Sequence, residues 1–169
     1  MYKNRMQKRK RKLITLIILV ILTFILGFWL EIDYRILTRR TVKYFANYQL
    51  GFYGKEFRIF ETDIALILTL IPIGFFFTTR KIETVKKIIG MNLVCLLSIV
   101  TFYCCYCYLE SHFIKLTVTN PIMNDGILEY HLNNLNYRTI LILTIISTFI
   151  SGMIIKKITN GKKPVANNV

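Results

Sequence analysis

Four cysteines, Cys95, Cys104, Cys105 and Cys107, fall in one short stretch of the chain. Cys104 and Cys107 have C-x-x-C spacing, and residues three apart share one face of a helix. Such a pair could close a disulfide or bind a metal, which makes Cys104 and Cys107 the redox candidates. A membrane thiol relay also needs a second pair to pass electrons on. Besides Cys105 there is only Cys95, about 15 Å deeper along a helix at 1.5 Å per residue. The other reading is that the cysteines are small, soft packing residues. They would sit beside an aromatic belt of Phe102, Tyr103, Tyr106 and Tyr108 at a membrane interface.

Two further tripeptides could carry chemistry: Glu110-Ser111-His112 and Glu129-Tyr130-His131. In a strand, residues i and i+2 project to one face. If both segments are extended and face each other, Glu110, His112, Glu129 and His131 could converge on a metal. Strand register decides this, and the sequence does not give it. The ordinary reading is four polar loop residues, because ligand types without geometry make a weak metal signal. There is no phosphate loop, serine-nucleophile motif, HExxH or internal repeat, and no cofactor is expected.

The elements that must position these residues are membrane helices. The chain has 169 residues, 54% of them hydrophobic, and a mean hydropathy of +0.47. Four runs contain no charged residue: Leu13 to Leu30, Ile64 to Thr79, Ile88 to Leu109 and Thr139 to Ile155. About 20 residues cross the hydrocarbon layer as a helix, within a range of roughly 17–25. The predicted spans are 13–30, 61–79, 88–109 and 138–156, the second borrowing a turn from the preceding loop. The expected fold class is an all-α, four-helix membrane bundle. One membrane domain covers 13–158, with a basic tail at 1–12 and a mobile tail at 159–169. The first run follows a basic head, but it ends Gly27-Phe28-Trp29-Leu30-Glu31, too bulky for a signal-peptide cleavage site. It reads as an uncleaved anchor.

The net charge of +14 suggests nucleic acid until it is divided by segment. Residues 1–12, 80–87 and 156–169 together carry fifteen Lys or Arg and one acid, whereas the loops 31–63 and 110–138 are neutral. The whole excess therefore lies on one side of a four-helix topology. The positive-inside rule then puts both termini in the cytoplasm. The cluster Lys8 to Lys12 reads as a topology anchor touching anionic lipid head groups. No nucleic-acid partner is expected.

Recognition would then fall to the two outer loops. Leu37, Thr41, Tyr44, Phe45 and Tyr48 recur at three- and four-residue spacing, which predicts a helix lying in the interface and broken by Gly51 and Gly54. Residues 55–60 could be extended. In the second loop, Ile114, Leu116 and Val118 alternate with polar residues, Asn120-Pro121 and Asn124-Asp125-Gly126 supply turn chemistry, and 127–132 alternates again. This predicts a β-hairpin that rests on the bundle or pairs with a strand from the first loop. Two interfaces are further marked by small residues: Thr144, Thr148 and Gly152 on the fourth helix, and Thr23 and Gly27 on the first. Such residues let helices approach closely, either within the bundle or against another subunit. Pro72 and Gly74 predict a kink in the second span.

No Asp, Glu, Lys, Arg or His lies inside the four runs, which argues against an ion-coupled transporter acting alone. The expected function is a non-catalytic membrane subunit or assembly factor that binds a membrane-protein partner or a second copy of itself. A thiol-redox protein and a lipid-handling protein are the alternatives. The outer loops have neither cysteine nor N-x-S/T sites, which fits a bacterial inner membrane.

Overall fold

A computed structural model describes residues 2–47, 49–53, 62–79, 85–117, 127–131 and 135–161. In chain order the elements are α1 (Tyr2–Ala46), β1 (Gln49–Tyr53), α2 (Thr62–Leu68), α3 (Leu70–Thr79), α4 (Val85–Thr117), β2 (Ile127–His131) and α5 (Tyr137–Gly161). Four helical stretches are long and apolar enough to cross a membrane: Lys10–Ala46, Thr62–Thr79, Ile88–Leu116 and Tyr137–Ile158. The second comprises α2 and α3 together. This is a membrane protein, almost entirely helical.

The break between α2 and α3 follows from Pro72. Proline has no amide hydrogen, and its ring collides with the carbonyl four residues back, here that of Leu68. Helix α2 ends at Leu68, and the Thr69 amide donates to Leu66 O at 3.1 Å in a tighter turn. Helix α3 restarts at Leu70, so Pro72 falls in its first turn, where a missing donor costs little.

Several helical threonines pair their hydroxyls with the helix backbone. Thr15, Thr23, Thr101, Thr144 and Thr148 each donate to the carbonyl four residues earlier. In hydrocarbon this local pairing is what makes a hydroxyl tolerable.

At 45 residues, α1 is far longer than a bilayer crossing needs, and α4 has 33. Both project past their apolar runs and carry the cap. The predicted separate interfacial helix is instead the last turns of α1, continuous with the first span. Thr38, Val42 and Ala46 lie on its buried face. Asn47 stops the helix with a left-handed φ of 55°. Asparagine tolerates that conformation and often ends helices. Gly51 is not the breaker; it lies within β1.

The predicted hairpin does not form. Residues His112 to Thr117 extend α4 instead of making a strand. The burial pattern explains the misreading. Cys107, Ser111 and Ile114 are buried at spacings of four and three, while Leu116 is 70% exposed and Ile114 is 0%. A strand would have placed Ile114 and Leu116 on one face. Segment β2 pairs with β1, in parallel, with Leu50 opposite Leu128 and Tyr53 opposite His131. Parallel strands need a long crossover, and the second and third spans supply it. The expected extended segment 55–60 and the turns at 120–126 lie outside the described residues.

Ends of the bundle are paired by specific contacts. At one end, Arg138 in the first turn of α5 forms an ion pair with Asp63 in the first turn of α2. At the other, the Lys156 ammonium donates to Thr78 O near the end of α3. A cation there complements the negative end of the helix dipole. The second end is also where the basic stretch of α1 begins. The core sits towards the cap: Val42, Ala46, Leu50, Ile114 and Leu135 are buried together, continuous with Ile64, Cys107 and Ile140. At the basic end, by contrast, α4 packs mainly on α5 and α1 and only weakly on α3.

The tails differ from expectation at their junctions. Helix α1 includes Tyr2 onward, so the basic stretch is helical, and residues 159–161 complete α5. Residues 162–169 lie outside the described residues.

Candidate functional site

Helix α4 brings Cys104 and Cys107 onto one surface but does not join them. All four cysteines are free: Cys95 and Cys107 are buried, Cys104 is half-buried and Cys105 is exposed. Side chains three residues apart on a helix have Cβ atoms roughly 5–6 Å apart. A disulfide needs roughly 3.5–4.5 Å. Bridging Cys104 to Cys107 would therefore distort a continuous helix. Cys107 belongs to the core beside Tyr103 and Ile114.

The Glu/His set does not take the paired-strand arrangement expected of it, since Glu110 and His112 lie on α4. Glu110 Oε1 accepts hydrogen bonds from the backbone amide and Nδ2 of Asn136, both at 3.3 Å. Asn136 immediately precedes α5, and its carbonyl accepts from the Ile140 amide at 3.0 Å. Glu110 thus positions the residue that caps α5. His112 sits on the exposed face of α4 instead of in a strand opposite His131. Glu129 and His131 lie on β2, their backbones opposite Gly51 and Tyr53. Among the described residues, no group of three His, Cys, Asp or Glu is placed to hold a metal.

Small residues sit where helices cross. A methyl group on Gly27 would lie 2.9 Å from Leu68 Cδ1 and 3.0 Å from Ala65 Cα, so α1 and α2 approach backbone to backbone. Thr144 and Thr148 are fully buried on α5. At Gly152, an added Cβ would meet Met91 Cε at 3.2 Å and Cys95 Sγ at 3.4 Å. This face of α5 is turned towards α4 and α3. Thr23 is half-buried and lines a cavity between α1, α3 and α4.

A polar network near the cap was not anticipated. The Tyr34 hydroxyl donates to Tyr137 O at 2.8 Å, tying α1 to α5. The Tyr103 hydroxyl donates to Thr38 Oγ1 at 3.1 Å, and Thr38 donates to Tyr34 O at 2.9 Å. Tyr106 and Ser147 share a 2.7 Å hydrogen bond between α4 and α5. Buried Glu31 pairs with Arg35 at 2.9 Å. The Arg35 guanidinium lies 5.2 Å from the Tyr137 ring centroid, within cation–π range. Only the Glu31/Arg35 spacing was legible in the sequence. The tyrosines come from three separate segments, so only the fold brings them together. The network locks α1, α4 and α5 together; it contains no nucleophile paired with a base.

A groove of about 400 Å³ runs between the end of α4 and the start of α5, lined in part by Leu109, Phe113, Leu116 and Leu143. The first three recur at spacings of four and three, forming an apolar helical stripe. Phe113 is 53% exposed, and Glu110 and His112 border it. The chain matches no known family model, no curated protein and no solved structure.

Proposed function

We propose that this protein is a non-catalytic membrane component that docks a helix of a partner membrane protein. The observation that carries this reading is the stripe Leu109, Phe113 and Leu116. It continues the apolar face of α4 past the end of its charge-free run, into the region where the rigid cap forms. Exposed apolar patches beside polar rims mark interaction surfaces. Anchors at i, i+4 and i+7 are the pattern by which one helix seats against another. The cap network holds α4 and α5 rigidly, so the groove is preformed, which lowers the ordering cost of binding.

In this reading the charge asymmetry orients the protein with both termini and the 80–87 loop in the cytoplasm. The groove then lies at the outer side of a bacterial inner membrane.

The test is a photoreactive amino acid placed at Phe113 and, separately, at Leu97, an exposed residue of α4 outside the groove. A single protein crosslinked from position 113 and absent from position 97 is the expected result. Lipid adducts alone at both positions would refute the docking assignment.

A further inference from the structure

We infer that the cavity at the basic end of the bundle binds one anionic phospholipid, head group at its mouth and acyl chains along its walls. This goes beyond general adhesion of a basic surface to a membrane, and it is independent of the docking stripe.

The cavity measures about 730 Å³, within the size range of small-molecule sites. It lies where α3 packs only weakly on α4. Its polarity changes along its length, and all three helices agree on the direction. On α1, Arg11 and Lys12 line the mouth and Thr23 lies deepest, about 16 Å along the axis at 1.5 Å per residue. On α3, Thr79 is at the mouth and Ile71 is deep; on α4, Ile88 is near the mouth and Leu96 is deep. Charge is therefore confined to one end, and the walls beyond it are chiefly leucine, isoleucine and phenylalanine. That gradient matches an amphiphile with an anionic head. It does not suit a wholly polar or a wholly apolar ligand.

The donors are also selective. Thr15 and Thr79 spend their hydroxyl hydrogens on Arg11 O, at 3.0 Å, and Phe75 O, at 2.6 Å. They make a neutral wall and are not phosphate donors. Among the described lining residues, the groups left to meet a phosphate are the Arg11 guanidinium, whose fork suits phosphate oxygens, the Lys12 ammonium and the Asn92 amide. Arg11 and Lys12 are both exposed, so they can reach a head group at the membrane surface.

The experiment titrates full-length protein in mild detergent with dioleoyl phosphatidylglycerol or dioleoyl phosphatidylcholine and counts bound lipid by native mass spectrometry. One phosphatidylglycerol per chain is expected, held in preference to phosphatidylcholine. A charge-assisted contact to the phosphate is worth roughly tenfold in affinity, so R11Q/K12Q, which removes two, should weaken binding about 100-fold. The charge-matched control K10Q/K157Q removes two exposed bases that do not line the cavity, so it loses diffuse attraction alone and should weaken binding far less. L19W narrows the cavity without touching its charge and should also weaken binding, with melting temperature and elution volume reporting whether the variant is folded. Should L19W not fold, the comparison of the two charge variants decides. Equal losses in R11Q/K12Q and K10Q/K157Q would mean diffuse electrostatics and overturn the site. Full displacement of the lipid by millimolar inorganic phosphate would overturn it too, since only the head-group chemistry would then be recognised.

Discussion

A close inter-helix contact gives a quantitative test of the bundle's packing. Gly74 on α3 faces the ring of Phe149 on α5. A Cβ added at Gly74 would overlap the ring atoms Cε2, Cζ and Cδ2 of Phe149. Ordinary carbon–carbon contact needs roughly 3.5–4.0 Å, so the ring would have to move. Its movement is opposed by Phe75, which meets Phe149 edge-on with centroids 5.6 Å apart. Overpacking of this kind costs about 1–3 kcal/mol. Gly74→Ala should therefore destabilise the protein by that amount, even though alanine is the better helix former by about 1 kcal/mol. In a Phe149→Ala background the obstacle is gone, and only the helix preference remains. There the same substitution should be neutral or stabilising by up to about 1 kcal/mol, so the cycle has a coupling energy of about 1–4 kcal/mol. Reversible unfolding in mixed micelles, followed by far-ultraviolet circular dichroism, measures all four corners of the cycle. Equal costs of Gly74→Ala in both backgrounds would refute the packing argument.

Three other outcomes follow from the geometry. Tyr34→Phe and Tyr103→Phe each delete one inter-helix hydrogen bond and should each cost about 0.6–1 kcal/mol in the same unfolding assay; no measurable loss in either would mean the network contributes nothing to stability. Maleimide applied to detergent-solubilised protein should modify exposed Cys105 first and buried Cys95 and Cys107 only on unfolding, as read by peptide mass spectrometry. An oxidised Cys104–Cys107 pair in acid-quenched membranes would contradict the packing role and revive a redox one. Single cysteines at Lys43 and at Val169, in a background with the native cysteines replaced, should react with an impermeant reagent from opposite sides of the membrane, the first from outside. Labelling of both from one side would overturn the orientation.

The spans were legible because hydrocarbon imposes a strong local rule: a helix must satisfy its own backbone, so apolar runs of sufficient length declare themselves. Pro72 was legible for a similarly local reason. The cap was not. Alternation at Ile114, Leu116 and Val118 resembles a strand, but the core beside Val42 and Ala46 takes Ile114 and leaves Leu116 exposed, and the helix runs on through Thr117. Tertiary burial outweighs a short period-two pattern. Parallel pairing of β1 with β2 joins segments more than seventy residues apart, and no turn signal announces such a pairing. The two chemical candidates failed to assemble for a related reason. Cys104 and Cys107 share a face without the approach a disulfide needs. Glu110 and His112 belong to a helix, not to a strand beside β2. The small residues at Gly27, Thr148 and Gly152 were visible as spacing, but whether such a face meets a sibling helix or another chain is set by the fold. Each of the three packs within this chain.

A partner docked on the α4 stripe should be lost when the stripe is made charged. Tagged protein, wild type or with Phe113→Asp and Leu116→Asp together, should be expressed at native level and recovered in mild detergent, with bound proteins identified and quantified by mass spectrometry. A membrane protein should be recovered at near-stoichiometric amounts with wild type and be depleted at least tenfold with the double variant, both chains being equally abundant in the membrane. A tenfold loss is about 1.4 kcal/mol, less than two desolvated charges in an apolar groove should cost. The same partner recovered equally with both forms, or none recovered with wild type, would contradict docking on the stripe.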